Sequence, residues 1–173
     1  MADGPANDAP YRLVNDVTFG ENVFVHPFTN LYGCRIGDNT RIGPFVGIQR
    51  GAVIGKNCKI QSHSFICDGV EIGDEVFVGH GVMFINDKVP RATTEAGELQ
   101  TDEDWVLLRT IVGAGASLGS GVVILGGITI GMHAVIGAGA VVTRDVDPHA
   151  TVVGNPARVL RREAAPFSAE SPP

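Results

Sequence analysis

The sequence predicts an all-β solenoid in which short parallel strands wind into stacked triangular coils. Three observations carry this: a large apolar residue at every sixth position, a small residue four positions after it, and abundant glycine with no helical periodicity before the C-terminus. The apolar series runs Ile36, Ile42, Ile48, Ile54, Ile60, Ile66, Ile72, Val78, Phe84, and the phase resumes at Val112, Leu118, Ile124, Ile130, Ile136, Val142. With Ile, Leu, Val and Phe at roughly one residue in four, nine in-phase hits arise by chance only on the order of once in 10⁵ to 10⁶ trials, so the period is structural. It is neither the helical nor the alternating period. It fits a short strand followed by a corner. Three such units close a coil of about 18 residues, and coils stack at the ~4.8 Å spacing of paired strands.

Each part of the repeat has a task. The aliphatic points inward. A glycine often follows it, as at Gly37, Gly43, Gly55, Gly73, Gly79, Gly113, Gly119, Gly131 and Gly137. Four positions after the aliphatic comes the second inward residue, small or β-branched: Thr40, Val46, Ala52, Ser64, Val70, Val76, Ala116, Val122, Ala134, Ala140. Corners call for small or polar residues with permissive φ. The two in-phase runs imply about 17 strands in fewer than six coils.

Outside the repeat, residues 1–16 lack periodicity and read as a flexible arm before a domain over 17–163. Residues 90–111 break the phase as a loop insertion, and unstructured insertions of this length are usually functional. The loop holds the chain's single tryptophan, Trp105. Its simplest role is to anchor the loop on the solenoid. Asn155-Pro156-Ala157 reads as the start of a short helix over about 156–163, with proline in the first turn, capping the open strand edges. The Pro- and Ser-rich segment 164–173 reads as a disordered tail.

Composition excludes several roles. The formal net charge is −6, which argues against nucleic acid as partner. No apolar run approaches the ~20 residues of a membrane span, and the polar, proline-containing start does not resemble a signal peptide. A cytoplasmic protein is expected. Three cysteines, Cys34, Cys58 and Cys67, do not make a disulfide framework. The register turns Cys34 and Cys58 inward as apolar fillers.

The same register locates polar residues. Strands led by Ile42, Ile60 and Val78 form face one, those led by Ile48, Ile66 and Phe84 face two, and those led by Ile54 and Ile72 face three. His63 and His80 then share the corner between faces one and two on adjacent coils, and Asn86 and Asp87 lie at the next corner, where the loop departs. Single corner residues of these types are ordinary turn formers. Two histidines plus Asn-Asp beside an insertion point to chemistry, with Asn86, His80 and His63 as catalytic candidates. A β-helical metal centre needs closely spaced histidines. His63, His80 and His133 are too far apart in sequence, so no metal is expected. Arg144, Arg158, Arg161 and Arg162 cluster late in an acidic chain, which by itself reads as a solvated helix face.

These residues carry a resemblance. The hexapeptide signature over roughly Phe24 to Arg162 resembles the left-handed β-helix acyltransferases, and left-handedness enters from that resemblance, since crossovers are otherwise right-handed. I-G-A-G-A-V-V-T-R (Ile136 to Arg144) and V-G-N-P-A-R (Val153 to Arg158) look like the last coils of coenzyme A-dependent members. They imply acetyl-CoA as co-substrate, held by Ala138, Arg144, Arg158 and Arg161. N-L-Y-G-C (Asn30 to Cys34), K-I-Q-S-H-S-F-I-C (Lys59 to Cys67) and V-F-V-G-H-G-V-M-F-I-N-D-K-V-P-R-A (Val76 to Ala92) resemble the branch that N-acetylates nucleotide-linked amino sugars, particularly at C3 of UDP- or dTDP-sugars.

That resemblance implies that Asn86 contacts the sugar amine. Asn30, Tyr32, Gln49, Asp87 and Arg91 are the substrate-binding candidates, and the assembly is a homotrimer. It also implies an acidic residue where this chain has Gly47. The amine would attack the thioester, with the departing sulfur, His63 or His80 taking the proton. Two alternatives stay open: a hexapeptide-repeat O- or N-acetyltransferase for another small molecule, and a non-catalytic β-helix scaffold.

Overall fold

The backbone winds as a left-handed parallel β-helix in the computed structural model, which describes residues 11–162. The first coil comprises β1 (Leu13–Asn15), β2 (Thr18–Phe19) and β3 (Phe24–Val25), and the second β4 (Asn30–Tyr32), β5 (Arg35–Ile36) and β6 (Arg41–Ile42). Then come β7 (Gly47–Ile48), β8 (Val53–Ile54) and β9 (Lys59–Ile60), followed by β10 (Phe65–Ile66), β11 (Val70–Ile72) and β12 (Phe77–Val78). The fifth coil has β13 (Met83–Phe84), β14 (Thr110–Val112) and β15 (Ser117–Leu118), and the sixth β16 (Val123–Ile124), β17 (Thr129–Ile130) and β18 (Val135–Ile136). β19 (Val141–Val142), β20 (Ala150–Val153) and β21 (Arg158–Arg162) close the top.

Every third strand stacks. Face one is β3-β6-β9-β12-β15-β18-β20-β21, face two β1-β4-β7-β10-β13-β16-β19, and face three β2-β5-β8-β11-β14-β17. The repeat phase alone assigns the same faces. The inward aliphatics fill the bore: Ile42, Ile48, Ile60, Ile66, Leu118, Ile124 and Ile136 are at most 1% exposed. Cys34 and Cys58 are buried among them as expected, and so is Cys67. Two buried hydroxyls stitch coils together at the corners. Thr40 Oγ1 donates to Gly55 O (2.8 Å) and accepts from Cys58 N–H (3.0 Å), and Ser64 Oγ does the same between Gly79 O (2.9 Å) and Val82 N–H (3.2 Å).

The glycine after the aliphatic is needed for clearance. A Cβ on Gly37 would lie 2.7 Å from the carbonyl carbon of Gly55, and one on Gly119 would lie 2.5 Å from the nitrogen of Ala138. Neither contact has a flexible side chain that could give way. The corner residues depart from expectation, because bulky side chains also take positive φ. Phe28, Phe45 and His63 have φ of 62°, 59° and 63°. With Tyr11 they form a ring stack along the corner between faces one and two, at 5.3, 5.2 and 4.8 Å. Such stacking offsets the left-handed strain. At the corner between faces three and one, Asn22, Asn39 and Asn57 hydrogen-bond in a ladder instead.

Four expectations need correction. There are 21 strands among the described residues, and face two alone stacks seven. Leu13 pairs with Asn30 and Asn30 with Gly47, 17 residues on each time, whereas Gly47 pairs with Phe65, 18 on. The early coils are one residue short, so they fall out of the six-residue phase. Secondly, residues 13–15, placed in the arm, form β1; the rest of the arm before residue 11 lies outside the described residues. The loop is wider than expected, because the chain leaves face two after Phe84 and rejoins face three at Thr110.

Finally, the short C-terminal helix is absent: 158–162 is a strand antiparallel to β20. A helix this short barely offsets its nucleation cost. An antiparallel strand satisfies the open backbone edge of β20 directly. The segment 164–173 lies outside the described residues. No described helix is long and apolar enough to cross a membrane.

Burial pushes the thiols of Cys34 and Cys67 from the ordinary 9.0 up to about 11, and that of Cys58 upward as well. The unfolded chain therefore gives up these protons at lower pH than the native one. Their contribution to stability is complete below pH 9 and is lost as pH rises towards 11. The denaturation midpoint should hold from pH 7 to 8.5 and fall above 9 (approximate bounds from linkage). Cys34→Ala should shrink that fall, and an equal fall in the variant would assign it to other groups.

Candidate active site

The corner between faces two and three carries a polar column. Two positions beyond the inward Ile48, Ile66 and Phe84 stand Arg50, Asp68 and Asn86, on three successive coils. Backbone and side chains tie the column together. Asp68 N–H donates to Gln49 Oε1 at 3.3 Å, and Asn86 Nδ2 donates to the Asp68 carbonyl at 3.2 Å. Asn86 is also the root of the loop, because its carbonyl accepts Leu108 N–H at 3.1 Å as the chain returns. That leaves Asn86 Oδ1 without a protein partner among the described residues.

The returning loop makes the other wall. Leu107 sits on Gly69 and Leu108 on Gly126, where added Cβ atoms would lie 3.1 and 2.9 Å from the leucines. Arg109 pairs with Glu71 at 3.3 Å. The Asp104 carboxylate accepts Thr101 N–H (2.7 Å) and Oγ1–H (2.9 Å), bonds that hold its pKa below the usual value. Between loop and corner lies a groove of about 550 Å³, lined by Tyr32, Gln49, Arg50, Phe65, Cys67, Asp68, Asn86, Asp102, Trp105 and Leu107. Leu107 and Leu108 hold the loop's return against the solenoid, and Trp105 lines the groove half-buried.

Gly47 contributes through what it lacks. It is in register with Phe65, whose ring would lie 3.2 Å from an added Cβ. The bare glycine lets Phe65 lie across the neighbouring coil and into the groove. Asn30 is exposed in the same row of face two. Asp87 is used locally, its Oδ1 accepting Val89 N–H at 2.8 Å to turn the loop's first residues. Arg91 is exposed farther along the loop and does not line the groove.

The histidines occupy a different corner. His80 Nδ1 is 2.8 Å from Ser62 Oγ, and His80 N–H donates to Ser120 Oγ at 3.2 Å. His63 stacks on Phe45 at 4.8 Å. Ala138 continues the column Ser62, His80, Ser120 on the coil above, and beside it Gly81 and Gly139 face open space, with nothing within 4 Å of an added Cβ. Arg158 is exposed on β21 opposite Val153, and Arg161 lies opposite Thr151 on that strand. Arg144 is not with them. It stands two coils beyond Asn86 at the corner between faces two and three, cut off from the groove by Leu108 and Lys88 over Gly126 and Gly127. One chain thus presents two separate polar strips. Among the described residues no group of three or more His, Cys, Asp or Glu is placed to hold a metal ion.

Residues 16–50, 51–86 and 109–144 match the family model described as bacterial transferase hexapeptide (six repeats). The chain belongs to this hexapeptide-repeat family. Among curated members, dTDP-3-amino-3,6-dideoxy-alpha-D-galactopyranose 3-N-acetyltransferase of Aneurinibacillus thermoaerophilus is 41% identical over 149 residues, covering 80% of this chain and 78% of that one. The bifunctional protein GlmU of Jannaschia is 30% identical over 154 residues, 87% of this chain, and the match spans only 34% of GlmU's length. Among solved structures, a hexapeptide-repeat-containing acetyltransferase of Vibrio cholerae, complexed with acetyl coenzyme A, superposes with a TM-score of 0.64 at 28% identity, over 75% of this chain and 70% of that one. A mutant of AntD, an N-acyltransferase of Bacillus cereus in complex with dTDP and coenzyme A, shares the hexapeptide fold with a TM-score of 0.73 at 19% identity, over 84% of this chain and 83% of that one.

Arg50, Asp68, Phe65 and Trp105 were not among the sequence candidates. The signal for two of them was available: counting two positions past the face-two aliphatics finds Arg50 and Asp68 as it finds Asn86. Asn86→Ala should cost about 1 kcal/mol by removing the bond to Asp68 O. It should also make the loop's return more susceptible to proteolysis near Leu107. Thermal melts and limited trypsin digestion on one sample check both, and unchanged stability would show that the bond from Asn86 to Asp68 O does not help hold the corner.

Proposed function

We propose that this chain is an acetyl-CoA-dependent N-acetyltransferase acting on the amino group, at C3, of a UDP- or dTDP-linked amino sugar. The observation that carries the reading is the Aneurinibacillus relative, 41% identical and matched over most of both chains. The groove supports it. An aromatic-lined cleft with a guanidinium, a carboxylate and a carboxamide suits a ligand with a base, phosphates and an amine.

The other corner suits coenzyme A. The strip Ser120, Gly121, Ala138, Gly139 has no bulk to obstruct a pantetheine arm, and Arg158 stands near its upper end for phosphate. Ala138, Arg158 and Arg161 are proposed to bind coenzyme A there. Arg144, on the other corner, serves it only if a neighbouring copy brings its own strip alongside. The amine nitrogen attacks the thioester carbonyl, a C–N bond forms, the C–S bond breaks, and the amine proton passes to the departing sulfur or to His80. Asn86 orients the amine, with Tyr32 and Gln49 on the sugar nucleotide; Asn30, Asp87 and Arg91 border them.

The two strips lie on different corners of one chain. Reaction therefore calls for a second copy that sets the His80 corner of one subunit against the Asn86 corner of its neighbour. Three copies around an axis close such a head-to-tail contact, so a homotrimer is proposed.

Trp105, the single tryptophan, supplies the test. Titrating dTDP, UDP and their 3-amino sugars should change its fluorescence at micromolar concentration, and product should form only when acetyl-CoA is added. A chain that binds none of these nucleotides and acetylates none of these sugars is not this enzyme. Acetylation of serine or another small acceptor would favour the broader acetyltransferase reading, and no acetylation at all would favour a scaffold.

A further inference from the structure

Arg50 and Asp68 carry opposite charges on adjacent coils of one corner, yet they make no ion pair with each other. Among the described residues the ion pairs are Lys56–Asp38 and Arg109–Glu71. Arg50 and Asp68 both line the groove. The Asp68 backbone is held from two sides, its N–H by Gln49 and its carbonyl by Asn86. Its carboxylate lies against Gly51, where an added Cβ would overlap Oδ1. Glycine at 51 is thus what makes room for an acid at 68. Neighbouring coils are ~4.8 Å apart, so cation, anion and carboxamide succeed one another along the groove in a fixed order.

We infer that Asp68 receives the cationic amine of the substrate and that Arg50 holds its phosphate. The nucleotide-linked sugar then lies parallel to the β-helix axis, with its phosphate end toward the N-terminal coils and its amine at Asp68 and Asn86. This rests on the proposed function and adds a specificity residue and a direction to it. A carboxylate at that point favours an ammonium over a hydroxyl at the same ring position. It therefore selects amino sugars over ordinary hexoses at the binding step, before the ammonium releases one proton to solvent and the neutral nitrogen attacks, its second proton leaving as in the proposed reaction. Trp105 and Tyr32, which line the same groove, offer ring faces for the base.

The test is calorimetric binding of three probes to the full chain: dTDP, dTDP-galactose, and dTDP-3-amino-3,6-dideoxygalactose, to wild type, Asp68→Asn and Arg50→Gln. Wild type should prefer the amino sugar to dTDP-galactose by at least about tenfold, the size of one charge-assisted contact. Asp68→Asn should erase that preference while leaving dTDP affinity within about twofold. Arg50→Gln should weaken all three probes about equally, by roughly tenfold. A preference that survives Asp68→Asn overturns the inference and leaves the proposed function standing. An Arg50→Gln variant with unchanged dTDP affinity overturns the assigned direction. If wild type binds no probe, the function fails and the inference with it. Asp68→Asn is isosteric and keeps both backbone bonds; its melting temperature serves as the folding control, and Asp68→Glu, which keeps the charge, should restore part of the preference.

Discussion

Where a glycine follows the inward aliphatic, coil stacks on coil with no room for a side chain, and the rest of the structure depends on that contact. A Cβ at Gly37 or Gly119 would enter the backbone of the next coil. Because the spacing is set there, the residues at each corner fall into vertical columns with the pitch of a strand ladder. The hydrophobic bore contributes most of the stability, through aliphatics almost fully removed from water. It carries no chemistry. Chemistry is left to the corners, where side chains point outward and the backbone needs no particular residue beyond tolerance of positive φ.

Each corner uses its column differently. Between faces three and one an exposed asparagine ladder links successive coils. Between faces one and two an aromatic stack at the N-terminal coils gives way to His80, and then to serine, alanine and glycine. Between faces two and three the column is Arg50, Asp68, Asn86, and the chain leaves there to build a wall carrying Trp105. The loop is a local exception to the repeat, but its ends are fixed by the repeat: Asn86 holds one side and the returning Leu108 closes it.

The fold was largely legible because a period of six has few structural solutions, and the faces read from Ile42, Ile48 and Ile54 match the sheets observed. The first coils were missed for a physical reason. A corner shortened by one residue, as between Leu31 and Ile36, shifts the phase without disturbing the stack. The end was misread because Pro156 suggests a helix start, while the open edge of β20 rewards a strand. Of the residues that line the groove, Asn86, Tyr32 and Gln49 were singled out by motif and register. Trp105 was not, because a loop's return path depends on contacts such as Leu107 on Gly69 that no periodicity encodes. The separation of the histidines from Asn86 was implicit in the register, since one full strand of face two, β13, lies between them.

That separation makes the central proposal testable: that the reaction centre is assembled from the Asn86 corner of one copy and the His80 corner of another. The direct measurement is complementation between two chains, Asn86→Ala and His80→Trp, the second change filling the strip as well as removing the imidazole, unfolded together at equal concentration and refolded as mixed assemblies. If the corners meet between subunits of a ring, one site in four combines an intact Asn86 with an intact His80, and about a quarter of the wild-type acetylation rate should return. Each variant refolded alone should stay inactive. Mixed assemblies as inactive as the separate variants would contradict the account, because both corners would then have to act within a single chain.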